Sequence, residues 1–330
     1  MVLFKFDNNQ YSNQFSSHGY VHIQNGVSPN FIDYAVAYYE KMLKGDDSHH
    51  SDFYFKEKKK QYLFDFPDKF DLEKDLLYPI ADLCGLNKQK MVLCERHLKA
   101  YESNADPDPE PHKDRLGSEI AIAIPLVVPE GSGLFLYPSV HTETNPYNST
   151  LEWRDSLTKE QMPLVVLRNC ERKIIDITVG DVAMFRGSSI FHERLNAADT
   201  VVLYFKVNSF GIDHLCEDPR TDLRLKNSIN IISSIDKTQL LQYKIELSPI
   251  LERINRHYTR LDWQEIATIQ VGKSRKVKIS EIDFQVLINL KAVVNVGEFI
   301  EIIQTKVADK EQLLSSIKFL ILNQALIVEN

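Results

Sequence analysis

Cysteine is scarce in this sequence. Its four cysteines, Cys84, Cys94, Cys170 and Cys216, include no CxxC pair. Disulfide frameworks and cysteine-ligated zinc sites need closely paired cysteines, so the sequence predicts reduced and mostly buried thiols. Residues 1–15 mix charged and amide side chains with apolar ones and lack the apolar core of a signal peptide. We therefore expect a cytoplasmic protein.

Long apolar runs and an excess of positive charge are also missing. The longest apolar run, IAIAIPLVV at 120–128, is interrupted by Pro125 and falls short of the ~20 residues that a membrane helix needs. Lysine and arginine number 39 against 46 aspartates and glutamates, which gives a net charge of -7. The sequence therefore predicts no membrane span, and it argues against a surface built to bind nucleic acid.

The composition is that of a folded α+β protein with more than one core. Hydrophobic residues make up 43% of the chain and charged residues 26%, and 330 residues exceed the size of a usual single core. The sequence predicts a β-barrel or sandwich domain with N-terminal helices over 1–214, a helical linker over 215–265 and a smaller domain over 266–330. Short β-rich runs bounded by Gly, Pro, Asn or Asp carry the first of these: MVLCERHLKAY, SEIAIAIPLVV, SGLFLYPSV, MPLVVLRN, RKIIDITV, DVAMFRG and TVVLYFKVN.

Two segments of the large domain have further signals. GYVHIQNG alternates as a strand does, and Ser28 and Pro29 after it are typical of a helix N-terminus. The polar stretch at 145–161 is longer than the other connections, and we expect it to be a lid or a substrate-binding insertion.

The C-terminal region reads as three helices and a closing strand. Ser280 followed by Asp283 is a capping pattern, and Asp309 precedes another helix with apolar residues at helical spacing. With the basic run VGKSRKVKI before them, these elements predict a winged-helix-like domain. Its candidate recognition helix, near 296–305, is apolar and acidic, so phosphate would be repelled there.

A metal-binding constellation is the strongest chemical signal. In Pro111-His112-Lys113-Asp114, the alternation of side chains along a strand would direct His112 and Asp114 to one face. GDVAMFRGSSIFH, which ends at His192, supplies a third candidate ligand. Two histidines and one carboxylate form the facial triad of non-haem iron(II) sites, which leaves open coordination positions.

The two motifs HKD and GDVAMFRGSSIFHE resemble the iron-binding motifs of the iron(II)- and 2-oxoglutarate-dependent oxygenases, in particular the phytanoyl-CoA-dioxygenase-like branch. The resemblance covers roughly residues 15–212. It implies a double-stranded β-helix core, jelly-roll or cupin-like, that holds Fe(II). It also implies that 2-oxoglutarate and O2 are consumed, with release of succinate and CO2, to hydroxylate a C–H bond of a small molecule, an amino acid or a peptide.

In that family a basic residue on the strand after the distal histidine pairs with the far carboxylate of 2-oxoglutarate. Lys206 lies closest to that position, and Arg194 is the other basic candidate. Tyr101 and Tyr204 would donate hydrogen bonds to the same co-substrate. His141 and Tyr137 are expected to face the substrate; these residues complete the predicted site.

Two alternatives remain open at this stage. The C-terminal helices and strand are similar to the precursor-peptide recognition domains of peptide natural-product pathways, which would make the protein a peptide-tailoring enzyme. The same domain is compatible with a homodimer or with a merely stabilising role. A non-catalytic β-barrel and winged-helix protein that binds a ligand is the other class, and retention of iron by the purified protein would argue against it.

Overall fold

The computed structural model describes residues 1–45, 53–54, 58–105, 110–258, 265–272, 275–304 and 307–329. The chain divides into two compact units, Met1–Gly211 and Ile212–Asn330. In the described part of the chain, no helix is long and apolar enough to cross a membrane.

The first unit combines short helices with antiparallel strands. Its helices are α1 (Asn8–His18), α2 (Pro29–Leu43), α3 (Tyr78–Cys84), α4 (Thr150–Asp155) and α5 (Pro163–Val166), with a π-helical turn at Leu72–Leu77 and 3-10 turns at Lys88–Lys90 and Lys159–Gln161. Its strands are β1 (Tyr20–Ile23), β2 (Phe53–Tyr54), β3 (Lys59–Leu63), β4 (Val92–Tyr101), β5 (Ile120–Val127), β6 (Gly133–Tyr137), β7 (Lys173–Ile175), β8 (Val182–Phe185), β9 (Phe191–Leu195) and β10 (Val201–Asn208).

These strands form two sheets that share a core. One has seven antiparallel strands in the order β1-β8-β5-β10-β4-β3-β2, and the other has the order β7-β6-β9. Ala121 and Ala123 of β5 pack against Leu134 and Leu136 of β6, so the inner faces of the two sheets meet. The alternate residues of β5, such as Ile122, pack on the opposite side in a cluster with residues of α1, α2 and α3.

The coarse prediction of an α+β protein with antiparallel sheets is confirmed, as are β1 and α2. The Ser28 hydroxyl accepts a hydrogen bond of 3.4 Å from the Phe31 amide, which is the predicted helix cap. The run MPLVVLRN at 162–169 is wrong as a strand, because it forms the single helical turn α5. Pro163 presets the helical φ there, and exposed Leu164 has no neighbouring strand to pair with.

The second unit has its own core. Its helices are α6 (Pro219–Ser234), α7 (Glu281–Asn289), α8 (Val296–Ile303) and α9 (Lys310–Leu322), with a 3-10 turn at Gln239–Gln242. Its strands are β11 (Lys244–Leu247), β12 (Leu251–Tyr258), β13 (Glu265–Val271), β14 (Arg275–Ile279), β15 (Val294–Asn295) and β16 (Leu326–Glu329). They form two three-stranded sheets, β15-β11-β16 and β12-β13-β14.

The predicted caps of α7 and α9 are confirmed, since Ser280 and Asp309 each make a reciprocal capping box. The helical linker predicted over 215–265 is corrected, because only α6 is a long helix there. β11 and β12 follow it and pair within the second unit. Their short, polar-rich strands carry too little alternation to be recognised from local pattern.

Candidate metal centre

The three predicted ligands lie together in the first unit. The backbone amide of His112 donates to the carbonyl of His192, and the amide of His192 donates to the carbonyl of His112, both at 3.0 Å. Two residues further on, the Asp114 amide donates to the Gly187 carbonyl at 2.9 Å. One atom from each of the three ligands lies within 4.8 Å of the others. The backbone hydrogen bonds between the two motifs therefore bring the three ligand side chains to one point.

Both imidazoles are oriented by their backbones. His112 Nδ1 lies 3.3 Å from the Glu110 carbonyl oxygen, and His192 Nδ1 lies 3.0 Å from that of Ile190. When Nδ1 donates its proton to a carbonyl, Nε2 keeps the lone pair that a metal needs. Burial lowers the pKa of both rings, that of His112 to about 3, so both are neutral at physiological pH.

The carboxylate of Asp114 has one free oxygen. Asp114 Oδ2 is buried and has no hydrogen-bond partner among the described residues, and it lies 3.7 Å from His192 Nε2. Leaving a buried carboxylate oxygen without a donor costs free energy, so such an oxygen indicates a missing ligand. Gly187 keeps space beside it, since a Cβ at that position would lie 2.7 Å from Oδ2. These residues fit a divalent cation.

The other oxygen of this carboxylate is taken by Lys206. Lys206 Nζ lies 2.5 Å from Asp114 Oδ1 and 3.4 Å from Glu95 Oε2. Burial alone would raise the pKa of the Asp114 carboxyl, but the Lys206 ammonium holds it well below its usual range. The sequence predicts Lys206 as the anchor for a distant carboxylate. Its ammonium is instead occupied by two carboxylates of the protein.

Arg194 is a buried cation with hydrogen-bond donors that are not used within the described part of the chain. It lies on β9 two residues after His192, so the two side chains share a face. Arg194 is 4% exposed, and its Nη2 donates to the Tyr204 hydroxyl at 2.5 Å. Its Nε and Nη1 are buried and have no partner in the described part of the chain. A guanidinium with two unpaired N–H groups is suited to a carboxylate.

Lys99 and Glu95 belong to this site and were missed by sequence reasoning. Lys99 Nζ lies 4.9 Å from the centre of the Tyr204 ring, and Lys59 Nζ lies 5.6 Å from that of Tyr101. Burial, together with the neighbouring Lys206 and Lys59, lowers the pKa of Lys99 to about 7. The signal was present in ERHLKAY, because period-two alternation places Glu95, His97, Lys99 and Tyr101 on one face of β4.

Of the two residues predicted to face the substrate, Tyr137 points away from the metal ligands, and His141 stays a prediction. Tyr137 lies on the face of β6 opposite to Leu136, the residue that pairs with His192. Its hydroxyl donates to Glu193 Oε1 at 2.7 Å, and its ring is buried in a cluster with Trp153. This corrects the expectation for Tyr137. Side chains alternate along β6, so the ring of Tyr137 points away from the metal ligands. His141 is exposed in the loop after β6.

The polar stretch predicted as a lid packs onto the metal-binding segment. Asn145 Nδ2 donates to the Asp114 carbonyl at 2.9 Å, and the Tyr147 carbonyl accepts from the Leu116 amide at 2.7 Å. Buried Lys113, between the two motif ligands, donates to the carbonyls of His141 and Glu143. The loop that begins at His141 is therefore fixed beside the ligands.

Comparisons with known proteins give only distant likenesses. No protein-family profile and no curated protein matches the chain. One similar solved structure is the non-heme alpha ketoglutarate dependent epimerase SnoN from nogalamycin biosynthesis, 14% identical over 62% of this chain and 84% of that one, with a TM-score of 0.45. HygX from Streptomyces hygroscopicus, with nickel, 2-oxoglutarate and hygromycin B bound, is 14% identical over 61% and 86%, with a TM-score of 0.42. A Pseudomonas putida prolyl-4-hydroxylase is 11% identical over 62% and 99%, with a TM-score of 0.40. Likeness at this level carries no argument about function, which has to rest on the side chains.

Proposed function

We propose that the protein is an iron(II)- and 2-oxoglutarate-dependent dioxygenase that hydroxylates a C–H bond of its substrate. The observation that carries the proposal is the convergence of His112, Asp114 and His192 within 4.8 Å, with the buried Oδ2 of Asp114 lacking a partner. Two neutral imidazoles and one carboxylate are the donor set of non-haem iron oxygenases. We propose further that the two sheets of the first unit form a double-stranded β-helix.

The protein side of the chemistry can be assigned residue by residue. His112, Asp114 and His192 would hold Fe(II), which when bound supplies open positions and the redox chemistry that couples decarboxylation of 2-oxoglutarate to C–H oxidation. The backbone carbonyls of Glu110 and Ile190 fix which ring nitrogen is available. Asp114 and His192 are buried and His112 is half-buried, which limits the access of bulk water to the reacting atoms.

Arg194 is the residue that we assign to the far carboxylate of 2-oxoglutarate. Its position on the face of His192 and its two unpaired N–H donors support this assignment over Lys206, whose ammonium already lies between two carboxylates. Tyr204 holds the guanidinium through its hydroxyl. Lys99, near the same ring, has a lowered pKa, so a bound dianionic acid would favour its charged form.

The test is succinate formation from 2-oxoglutarate by anaerobically iron-loaded protein after oxygen is added. We expect His112→Ala to abolish it and Arg194→Met to raise the half-saturating 2-oxoglutarate concentration more than tenfold, because a buried charge-assisted contact is lost. Arg172→Met is the matched control, since this exposed arginine lies over the Phe135 ring on the other face of β6. Wild-type protein that neither retains iron nor forms succinate would favour a non-catalytic binding protein.

A peptide is the second substrate class that we propose, beside a small molecule. The supporting observation lies in the second unit, which we propose to be winged-helix-like. Among the described residues β14 pairs only with β13, so its basic outer edge can accept an added strand. Hydrogen exchange of β14 amides with and without an acidic peptide would test this, and unchanged exchange at saturating peptide would argue for a small-molecule substrate.

A further inference from the structure

Four charged side chains of alternating sign lead from the edge of the first unit to the metal ligand Asp114. Arg115 Nε lies 3.0 Å from Glu95 Oε1, Glu95 Oε2 lies 3.4 Å from Lys206 Nζ, and Lys206 Nζ lies 2.5 Å from Asp114 Oδ1. We call Arg115, Glu95, Lys206 and Asp114 the counter-ion chain. Its last three members are almost completely buried, between 2% and 6% exposed.

The pairing register of β10 and β4 brings together Lys206 and Glu95, the two middle members of the counter-ion chain. Lys206 of β10 lies directly opposite Glu95 of β4, and both side chains are on the inner face. Ser118 donates to Glu95 Oε1 at 3.2 Å, so Glu95 is held on both sides. A buried carboxylate or ammonium without an opposite charge is strongly destabilising, so each member of the chain needs the next one.

The charges of the chain sum to zero, since two cations balance two carboxylates. The carboxylate of Asp114 is therefore already neutralised by Lys206 before any metal binds. Counting only these four side chains, a divalent cation that binds Oδ2 would therefore meet a net charge of zero and not of -1. Because charges in a buried site are weakly screened, the ammonium must oppose the binding of the cation.

We propose that Lys206 is an internal counter-ion of Asp114, which keeps the metal-free site folded and at the same time limits its affinity for the metal. The inference rests on the metal site of the proposed function, but it is independent of 2-oxoglutarate and oxygen. Lys206 is thus a positioning residue that acts through Asp114 Oδ1. It leaves Oδ2 as the single carboxylate oxygen available to the metal.

Opposite shifts in two variants distinguish this role from a merely structural one. In Lys206→Met the counter-ion chain acquires a net charge of -1, and we expect Co2+ to bind at least about tenfold tighter. In Glu95→Gln the chain has a net charge of +1, and Co2+ should bind at least about tenfold more weakly. Lys206→Arg keeps the charge and should stay within about threefold of wild type. A structural role would weaken binding in both charge variants.

The measurement is anaerobic competition of the protein with a chromogenic chelator for Co2+, accompanied by thermal unfolding with and without the metal. Lys206→Met should unfold at a lower temperature than wild type without Co2+, and Co2+ should raise its unfolding temperature more than that of wild type. If Lys206→Met folds only when Co2+ is present, the proposal is supported as well. If it does not fold at all, Glu95→Gln decides: weaker Co2+ binding supports the proposal, and unchanged or tighter binding overturns it.

Failure of the inference can be separated from failure of the metal site. His112→Ala should lose Co2+ binding whatever the role of Lys206. If Lys206→Met binds Co2+ more weakly than wild type and His112→Ala does not bind it, only the counter-ion role is overturned. Wild-type Co2+ affinity in His112→Ala would overturn the metal site itself.

Discussion

Gly187 is the residue whose substitution tests the metal site by a single added methyl group. Its φ lies outside the left-handed region, so alanine would introduce no backbone strain. The new Cβ would lie 2.7 Å from Asp114 Oδ2, 2.9 Å from the Ser118 carbonyl oxygen and 3.1 Å from Ala121 Cβ. The last two belong to backbone and sheet that cannot move easily, so the carboxylate has to shift.

The magnitude follows from what restrains Asp114. Lys206 holds Oδ1 at 2.5 Å, so rotation of the carboxylate strains a buried ion pair. Overpacking of this kind costs about 1–3 kcal/mol of unfolding free energy. Displacement of a metal-binding oxygen should weaken Co2+ binding by about 100-fold, at the upper end of effects seen when the support of a ligand is removed.

Chelator competition with Co2+ and thermal unfolding of the metal-free protein are the two assays for Gly187→Ala. Ser188→Ala is the control, because it changes the neighbouring buried residue without adding an atom. A folded Gly187→Ala protein that binds Co2+ as tightly as wild type would refute the reasoning, since Oδ2 could then not be a ligand in this position.

Two further predictions concern the co-substrate and the pH dependence of stability. Tyr204→Phe removes the hydroxyl that holds Arg194. We expect the half-saturating 2-oxoglutarate concentration in the succinate assay to rise about threefold to tenfold, which corresponds to the free energy of about one hydrogen bond. The affinity for Co2+ should stay unchanged. Burial opposes ionisation of Asp181, but hydrogen bonds from the backbone amides of Asn25 and Thr178 lower its pKa. Because a lowered carboxyl pKa stabilises the fold above the unfolded value of about 3.9 and not below the folded one, Asp181→Asn should cost about 1–3 kcal/mol in urea unfolding at pH 7. This difference should shrink as the pH falls below about 4, and a difference that persists at pH 2 would contradict the ionic explanation.

The metal ligands could be predicted from sequence because each of them lies in a short motif. His112 and Asp114 are two residues apart on an extended segment, so period-two alternation alone places them together. His192 ends a motif whose glycine permits the close approach of the same carboxylate. The approach of His192 itself depends on tertiary structure, because it pairs with His112 from 80 residues further along the chain.

The role of Lys206 could not be predicted, because it depends on pairing between distant strands. Lys206 and Glu95 are brought opposite each other by the register of β10 and β4. A register shift beside Lys206, between it and Val207, adds to the difficulty, since a shift by one residue exchanges the two faces of a strand. Lys206 and Arg194 could therefore be named from the sequence as the two basic candidates, but the choice between them depends on this pairing.

Dependence on pairing between distant segments also explains the errors in the predicted secondary structure. The residues of α5 are apolar and partly β-branched, which favours a strand locally, but among the described residues they pair with no strand, and Val166 packs in a cluster with Tyr137 and Phe191. β11 and β12 have the opposite problem, because their strand character comes from pairing with β16 and β13. The helix caps at Ser28, Ser280 and Asp309 involve only neighbours in sequence, and all three were predictable.

The two oxygens of the Asp114 carboxylate have different roles, since one binds Lys206 and the other is available to a metal ion. With Oδ1 bonded to Lys206, only Oδ2 remains for a metal, so the carboxylate is a ligand through one oxygen. Among the described residues no further His, Cys, Asp or Glu joins the group of three. Structural metal sites are usually closed by four protein ligands, whereas catalytic sites keep positions open. Three single-atom ligands, with buried Arg194 on the same strand face as His192, therefore support the oxygenase that we propose over the non-catalytic binding protein.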